Sequence, residues 1–286
     1  MQVVSGDTQI APKVSVGLPV YNGASTIDVA ISALLGQSFQ DFELIVSDNK
    51  STDDTLEICE AAAKSDPRVR VIRQMKNRGA VANFEAVLKA ARGRYFMFAA
   101  ADDRVEPLFI AETFAALEAA PEAVACAPRT MIHFEGGHSR EARGSSPIGG
   151  PAWWRPARFL LRPADNSRFY GLYRTEVMRD AFLSGHAFHA FDWAVSAITL
   201  SRGAHVQSRS IILHRRGAEE GKYYRYHLRG APGVLDRLFP VARMSAALLS
   251  RLRPSELALA VPALVLLNAR TCAEHLLAAA RAHRRG

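Results

Sequence analysis

The sequence is poor in features that mark several common protein classes. It holds three cysteines, Cys59, Cys126 and Cys272, far apart and without a CxxC pair or a histidine at metal-ligand spacing. That excludes a disulfide framework and a structural zinc site, and isolated thiols suit a reducing compartment. No uninterrupted apolar run reaches the roughly 18 residues that a membrane-spanning helix requires. Met1 leads into a short polar stretch rather than a basic-then-apolar signal segment, so a cytoplasmic chain, soluble or peripheral to the membrane, is the expectation. Phosphate loops are missing as well. No GxGxxG follows the first strand-like segment and no GxxxxGK followed by Ser or Thr occurs, so neither a dinucleotide fold nor a P-loop is supported.

What is present is hydrophobic and ordered in character. With 286 residues, of which 49% are hydrophobic, the chain can bury a sizeable core as one large domain or two small ones. Its formal net charge of +8 is unevenly spread. Residues 1–208 carry 22 Lys and Arg against 23 Asp and Glu, whereas residues 209–286 carry 14 against 5. A basic end of this kind can serve phosphates, nucleic acid or an anionic membrane surface. No nucleic-acid recognition motif accompanies it, and nucleic acid is not an expected partner.

Hydrophobic patterning predicts alternating strands and helices. Residues 14–20 read as a strand and 21–23 as a turn. A helix follows with Ile27, Ile31, Leu34 and Leu35 on one face, opened by a Ser25/Asp28 capping box. Residues 42–47 form a second strand that ends at Asp48 and a polar loop before a helix reaching about Lys64. Residues 69–72 form a third strand, 77–79 a turn, and Val81, Phe84, Val87 and Leu88 a helix face. Residues 95–99 form a strand, with helix 107–120 and strand 123–130 beyond. Such alternation implies βαβ units and a parallel sheet. Residues 135–151 are rich in glycine and serine without periodicity and read as a mobile surface loop. From about 152 aromatics gather, including Trp153, Trp154, Phe169, Tyr170, Phe191 and Trp193, as core or as the wall of a second-substrate pocket.

Acids stand at the predicted strand ends. YFMFAAADD (95–103) runs an apolar strand into Asp102 and Asp103, where two adjacent carboxylates repel unless a cation or hydrogen bonds offset them. Taken alone, the pair is either a metal site at the carboxyl edge of a sheet or a helix cap beside a surface acid. Asp48 and Asp192, in Phe191-Asp192-Trp193, have helix-capping readings too.

At this point the sequence resembles a known family. VSVGLPVYNG (14–23), QSFQDFELIVSDNKSTD (37–53), Asn77-Arg78-Gly79 and Asn83-Phe84 look like the nucleotide-binding half of inverting family 2 glycosyltransferases. The resemblance is strong across about 14–130 and absent beyond about 216. It implies an α/β GT-A fold, a mostly parallel central sheet flanked by helices, with a helical C-terminal extension. The implied division is a catalytic domain over 1–216, with a nucleotide-sugar half at 14–130 and an acceptor half at 131–216, then a lid and basic helical extension over 217–286.

The same resemblance implies a role for each matching residue. Pro19, Val20 and Tyr21 would line the base pocket, and Asp48 would accept the imide N–H of uracil or thymine. Ser51 and Asp53 would hold the loop. Arg78 would approach phosphate or ribose, or else stay solvated. Asp102 and Asp103 would cover the ribose and a divalent cation between them, the cation on either one, and His214 would complete the metal shell. Oxygen ligands and a diphosphate point to Mg²⁺ or Mn²⁺. Arg215 and Arg216 would close over the diphosphate, and residues 217–222 would form a lid. Asp192 would be the catalytic base, its pKa raised by flanking aromatic rings.

The implied partners are a UDP- or dTDP-linked sugar donor and a glycan or lipid-linked acceptor, without the QxxRW signature of processive polymerisation. Ala100 departs from the family's Asp-x-Asp motif, which leaves an impaired sugar-nucleotide-binding protein as the alternative. A nucleotidyltransferase is a further alternative, disfavoured because residues 19–22 are not a glycine-rich phosphate loop. The C-terminal segment, apolar over 257–267 except for Pro262 and ending in arginines, is either a helix packed on the domain or a membrane-docking one at the inner face of the plasma membrane.

Overall fold

A computed structural model describes residues 11–134, 137–217, 236 and 238–283. The expected βαβ alternation is present. Strands β1 (Val14–Val20), β2 (Phe42–Asp48), β3 (Val69–Arg73) and β4 (Tyr95–Phe98) alternate with helices α1 (Ile27–Leu35), α2 (Thr55–Ser65) and α3 (Ala80–Ala90). They pair in parallel in the order β3-β2-β1-β4. Every residue of β2 and β4 is buried, and neither the Leu44–Val46 centre of β2 nor Tyr95–Phe98 of β4 alternates apolar with polar positions.

The second half of the sheet departs from the parallel plan. The two-residue β5 (Arg104–Val105) is followed by α4 (Phe109–Glu118), β6 (Ala123–Phe134), β7 (Ser139–Glu141), α5 (Arg155–Leu161), a 3₁₀ turn (Ser167–Tyr170), β8 (Leu172–Arg174), α6 (Thr175–Ala181), α7 (Phe191–Arg202) and β9 (Ala204–Gly217). Strand β8 inserts antiparallel between β4 and β6, β6 runs parallel to β9, and β5 lies antiparallel along β9. Parallel pairing therefore dominates only the first half.

Two apolar layers cover the sheet. Tyr95 and Met97 of β4 join Val16, Leu18, Ile31, Leu34 and Phe109 on one face. Phe96 and Phe98, on alternate positions, join Val87, Phe169, Ile198 and Leu200 on the other. Gly17 lets α3 lie close to β1, since a Cβ there would stand 2.7 Å from Val87 Cγ2.

Several sequence expectations are corrected. The α1 N-cap is Thr26, which makes no side-chain cap hydrogen bond, so the Ser25/Asp28 capping box does not form. Part of the expected loop 135–151 is ordered: β7 pairs with β6, and Ile148 exchanges backbone hydrogen bonds of 2.9 and 3.0 Å with His205. The expected lid falls largely on residues 218–222, which lie outside the described residues, as do 284–286 of the basic tail.

The C-terminal segment forms α8 (Ala242–Leu249) and α9 (Pro254–His283). Helix α9 continues through Pro262, and its Pro254–Leu277 portion is long and apolar enough to cross a membrane by length and composition. The expectation that no segment meets that test is thus overturned. Isolated polar residues such as Asn268 and Arg270 interrupt the run without lowering its average enough. Ala260, Ala263, Leu264 and Leu267 of α9 are buried against the domain.

Asn83 ties the sheet edge together. Buried on α3, its Nδ2 donates to Val20 O (3.2 Å) and Ser47 O (2.9 Å), and its Oδ1 accepts from Ser47 Oγ (2.7 Å). Replacing it with leucine, similar in size, strands buried carbonyl and hydroxyl groups. Asn83→Leu is expected to lower stability in urea unfolding by about 2 kcal/mol.

Candidate active site

The carboxyl ends of β1, β2 and β4 collect the predicted residues, as open parallel sheets generally do with their ligands. Pro19 and Val20 end β1, and Tyr21, 47% exposed, stands beyond it. The turn that follows is clasped to the loop after β2. Asn22, at φ 50°, accepts from Thr52 N (2.9 Å) and donates its own N–H to Ser51 Oγ (2.9 Å). Gly23 N donates to Thr55 Oγ1 (2.8 Å) and Ala24 N to Asp53 Oδ2 (3.2 Å). Ser51 and Asp53 thus hold the loop.

Asp48, buried at the last position of β2, accepts from Ser51 N at 3.2–3.3 Å through both oxygens. Asp54 occupies the N-cap position of the next helix without a side-chain cap hydrogen bond. Neighbouring Asn49, absent from the sequence expectations, fixes the turn that carries Arg78. Its Oδ1 accepts from Arg78 N (3.0 Å) and its Nδ2 donates to Asn77 Oδ1 (3.0 Å). Gly79 has φ 80°, which only glycine adopts freely, and it lets α3 begin directly after the turn while the Arg78 side chain stays exposed.

The acidic pair after β4 is split. Asp102 borders an open cavity of about 560 Å³, together with Arg104, His133, His214 and Arg216. Asp103 turns inward, its side chain 7% exposed, with Oδ2 3.3 Å from Arg215 Nε. The apolar groups around it include Met97, Phe98, Phe109 and Leu213. Burial pushes the Asp103 carboxyl up to about 6, against the Arg215 charge and helped by Asp102. The ion pair lacks hydrogen-bond alignment, so Asp103 Oδ2 and Arg215 Nε are buried polar atoms without a hydrogen-bond partner.

Expectation and structure differ most at His214. Its Nε2 lies 2.9 Å from Glu106 Oε1, and its Nδ1 lies 2.9 Å from Nε2 of His133, whose Nδ1 meets Ser139 Oγ at 2.8 Å. The consistent tautomers have His214 donating to Glu106 and accepting from His133. Burial, then Arg104, keeps His214 below its ordinary pKa and so neutral. Both ring nitrogens of His214 are engaged in these contacts. Among the described residues no three His, Cys, Asp or Glu converge as a metal cage. Sequence reasoning had no means of finding Glu106 and His133, since only the β5/β9 and β6/β9 registers bring them to His214.

Asp192 lies in the first turn of α7, not at its cap. The cap is Ala190 in the left-handed region at φ 60°. Asn166 Nδ2 donates to Asp192 Oδ2 at 2.7 Å, and Ser196 Oγ donates to Asn166 Oδ1 at 3.1 Å. Burial raises the Asp192 pKa, while the Asn166 hydrogen bond and the Arg215 charge oppose the rise. Asn166 and Ala164 also have positive φ, at 46° and 53°. Such residues cost about 1–3 kcal/mol each and cluster where a site is held in one geometry.

Tyr170 joins the two halves. The Arg215 guanidinium carbon lies 4.5 Å from its ring centroid, and burial pushes its hydroxyl up to about 12, with Arg215 opposing and Asp103, Asp192 and Asp102 adding. Asp102, Asp103, Asp192 and Arg215 are therefore electrostatic neighbours of one phenol. Asp165 braces the same corner, accepting from Arg143 N (3.0 Å), Gly144 N (3.2 Å) and Ser167 Oγ (2.9 Å).

The model for "Glycosyl transferase family 2" matches residues 15–182, more than half of the chain. The chain belongs to glycosyl transferase family 2. A relative within that similarity is the putative teichuronic acid biosynthesis glycosyltransferase TuaG of Bacillus subtilis, 36% identical over 97 residues, which cover 34% of this chain and 38% of TuaG. The chain spans no more than 38% of the length of the first such relatives.

Among solved structures, S. aureus TarS 1-349 in complex with UDP-GlcNAc superposes with a TM-score of 0.63 at 19% identity, covering 88% of this chain and 71% of that one. The mannosyltransferase PcManGT from Pyrobaculum calidifontis, in complex with GDP-Man and Mn²⁺, superposes with a TM-score of 0.61 at 19% identity, covering 99% and 78%. The fold is GT-A, a mixed α/β sheet flanked by helices with a C-terminal helix, and the family expectation for the fold holds.

The Asp103 environment has a measurable consequence. In the folded protein Asp103 keeps its proton up to about pH 6, whereas an ordinary aspartate loses it near 3.8. Between those values the folded state binds more proton than the unfolded one, so this group's contribution to stability falls as pH rises through the window, by up to about 3 kcal/mol. Urea unfolding of the ligand-free protein between pH 4 and 6 is expected to show this decline, and Asp103→Asn to flatten it relative to the parent.

Proposed function

We propose that the chain transfers a glycosyl unit, with inversion, from a UDP- or dTDP-linked sugar to a hydroxyl of a glycan or lipid-linked acceptor. The observation that carries this reading is that Asp102 and Asp192 share the surroundings of Tyr170, beside the sheet edge where Asp48 ends β2, with Asp192 held by its hydrogen bond from Asn166. Asp48 lies in the clasped loop beside Tyr21 and suits recognition of a base that offers an imide N–H. Asp102, at the rim of a cavity with Arg104 and Arg216, suits the diphosphate end.

The residues fit a divalent cation of a particular kind. Mg²⁺ and Mn²⁺ prefer hard oxygen donors, and Mg²⁺ in particular is commonly held by one or two carboxylates together with substrate phosphates rather than by an all-protein cage. Asp102, open to the cavity, offers such a carboxylate. Asp103 is committed to Arg215, and His214 to Glu106 and His133. The cation, when bound, would offset negative charge on the departing diphosphate.

In the reaction so proposed, Asp192 takes the proton from the acceptor hydroxyl as its oxygen attacks the anomeric carbon. The bond from that carbon to the diphosphate oxygen breaks on the opposite face, and the electron pair leaves with the nucleotide. Asn166 holds the carboxylate oriented, and the raised pKa brings its basicity closer to neutral pH. A second reading, nucleotide-sugar binding without turnover, draws on Ala100 and on the capture of Asp103 by Arg215.

Two sets of measurements test these roles. Asp192→Asn is expected to lower transfer at least about 100-fold while leaving UDP affinity unchanged; near-normal turnover would remove the base assignment. Activity is expected to fall as pH drops through the raised Asp192 pKa. Asn166→Ala, which removes a hydrogen bond that lowers that pKa, moves this acid limb to higher pH. Calorimetry with UDP, dTDP and GDP, with and without Mn²⁺, is expected to show Mn²⁺-enhanced binding of the first two, and Asp102→Asn to lose the Mn²⁺ enhancement. Binding indifferent to metal, with no hydrolysis of any donor, would favour the non-enzymatic reading.

A further inference from the structure

Helix α9 is apolar on two faces. The inward face, with Ala260, Ala263, Leu264 and Leu267, packs on the domain, and Glu256, Thr271 and His275 are buried on the same side. The outward face repeats at helical spacing through Ala258, Val261, Val265, Ala269 and Ala273, all exposed. Val265 and Leu266 are 62% and 60% exposed, and Leu276 and Leu277 are 57% and 59% exposed. Only 33% of the apolar window in Pro254–Leu277 is buried. An outward apolar stripe that carries Val261, Val265, Leu266, Leu276 and Leu277, all exposed, is more than scattered surface apolarity.

Helix α5 extends this surface. Arg270 Nη1 donates to Leu161 O at 3.1 Å, which sets the end of α5 beside the middle of α9. There Leu161 is exposed, flanked by exposed Arg158 and Arg162, and Trp153 stands exposed just before α5. Among the described residues, the exposed positions of α5 and α9 include no aspartate or glutamate. The one half-exposed acid on α9, Glu274, is offset by Arg270 at 3.8 Å.

We propose that this composite face of α5 and α9 docks on an anionic lipid bilayer, lying in the plane of the interface. Aliphatic side chains enter the acyl boundary, Trp153 sits at headgroup level, and Arg158, Arg162 and Arg270 meet lipid phosphates. The charge pattern selects this occupant. Two copies of the chain meeting through the stripe would bring arginines against arginines with no carboxylate at an exposed position of either helix to pair them and Glu274 already beside Arg270. The inward packing of α9 selects the orientation, since a spanning arrangement would strip the helix from the domain and expose the layer beneath it. The basic excess of residues 209–286 acts in the same direction.

Co-sedimentation of the full chain with phosphatidylcholine vesicles, with and without phosphatidylglycerol, tests the proposal. Binding is expected to the vesicles that contain phosphatidylglycerol, weakening as salt is added. Arg158→Gln and Arg162→Gln are each expected to lower the partition coefficient about fivefold. The double substitution Val265→Asp and Leu266→Asp, at exposed positions, is expected to abolish binding with an unchanged thermal unfolding midpoint. Absence of binding to the anionic vesicles, or equal binding by the Val265→Asp, Leu266→Asp protein, would overturn it. So would a concentration-dependent dimer in light scattering that the same double substitution disperses, because the stripe would then be an interface between copies.

Discussion

One guanidinium holds the site together. Arg215, delivered by β9, reaches Asp103 in the segment after β4, the ring of Tyr170 in the 3₁₀ turn, and the carbonyl of Asp165 and hydroxyl of Ser167, both at 3.4 Å. The segment after β4, the 3₁₀ turn and β9 are remote in sequence and are brought together at this charge. Burial alone would favour losing the Arg215 proton, but Tyr170, Asp103 and Asp192 outweigh that and hold the group charged. A carboxylate as buried as Asp103 is costly unless a cation stands against it, and the cost of leaving it unpartnered exceeds what the pair itself contributes. Asp102 is thereby left as the member of the acidic pair that faces the cavity.

The rim at the ends of β1 and β2 is organised differently, by short polar side chains rather than by a buried guanidinium. Asn22, Ser51, Asp53 and Thr55 cross-link the ends of β1 and β2, and Asn49 and Asn83 tie those ends to the turn before α3. Each bond satisfies a backbone group that the open end of a parallel sheet would otherwise leave unpaired. The result is a rigid rim in which Tyr21 and Asp48 are placed by neighbours that themselves have little freedom.

That contrast explains what could be read from the sequence. In residues 14–98 the hydrophobic runs, the turn residues and the acids at strand ends all lie within single βα units, and the expected elements and Asp48 fall where periodicity puts them. Beyond Ala123 the decisive relations are between distant segments. Nothing local announces that β8 inserts antiparallel between β4 and β6, or that Asn166 will reach Asp192 across 26 positions. The left-handed conformations of Ala164 and Ala190 are equally hidden, because alanine is not a residue that advertises positive φ. His214, expected at a strand end, lies inside β9, and its engagement with Glu106 and His133 depends on strand register, which hydrophobic pattern does not specify there.

The insertion of β8 bears on the order in which the molecule can become competent. Strands β1, β2 and β3 are joined by short crossovers and pair across fewer than 30 residues, whereas β4 returns to β1 only from Tyr95 to Val14. Strand β6 likewise must wait for β9, about 80 residues later, before its parallel pairing exists, and α7 with Asp192 lies inside that interval. Contacts of long sequence separation close late, because chain entropy must be spent before they return any stabilisation. The clasp between the ends of β1 and β2, which includes Asp48, can therefore form before Asp192 is oriented. The strand topology itself sets that order between the β1–β2 rim and the α7 carboxylate.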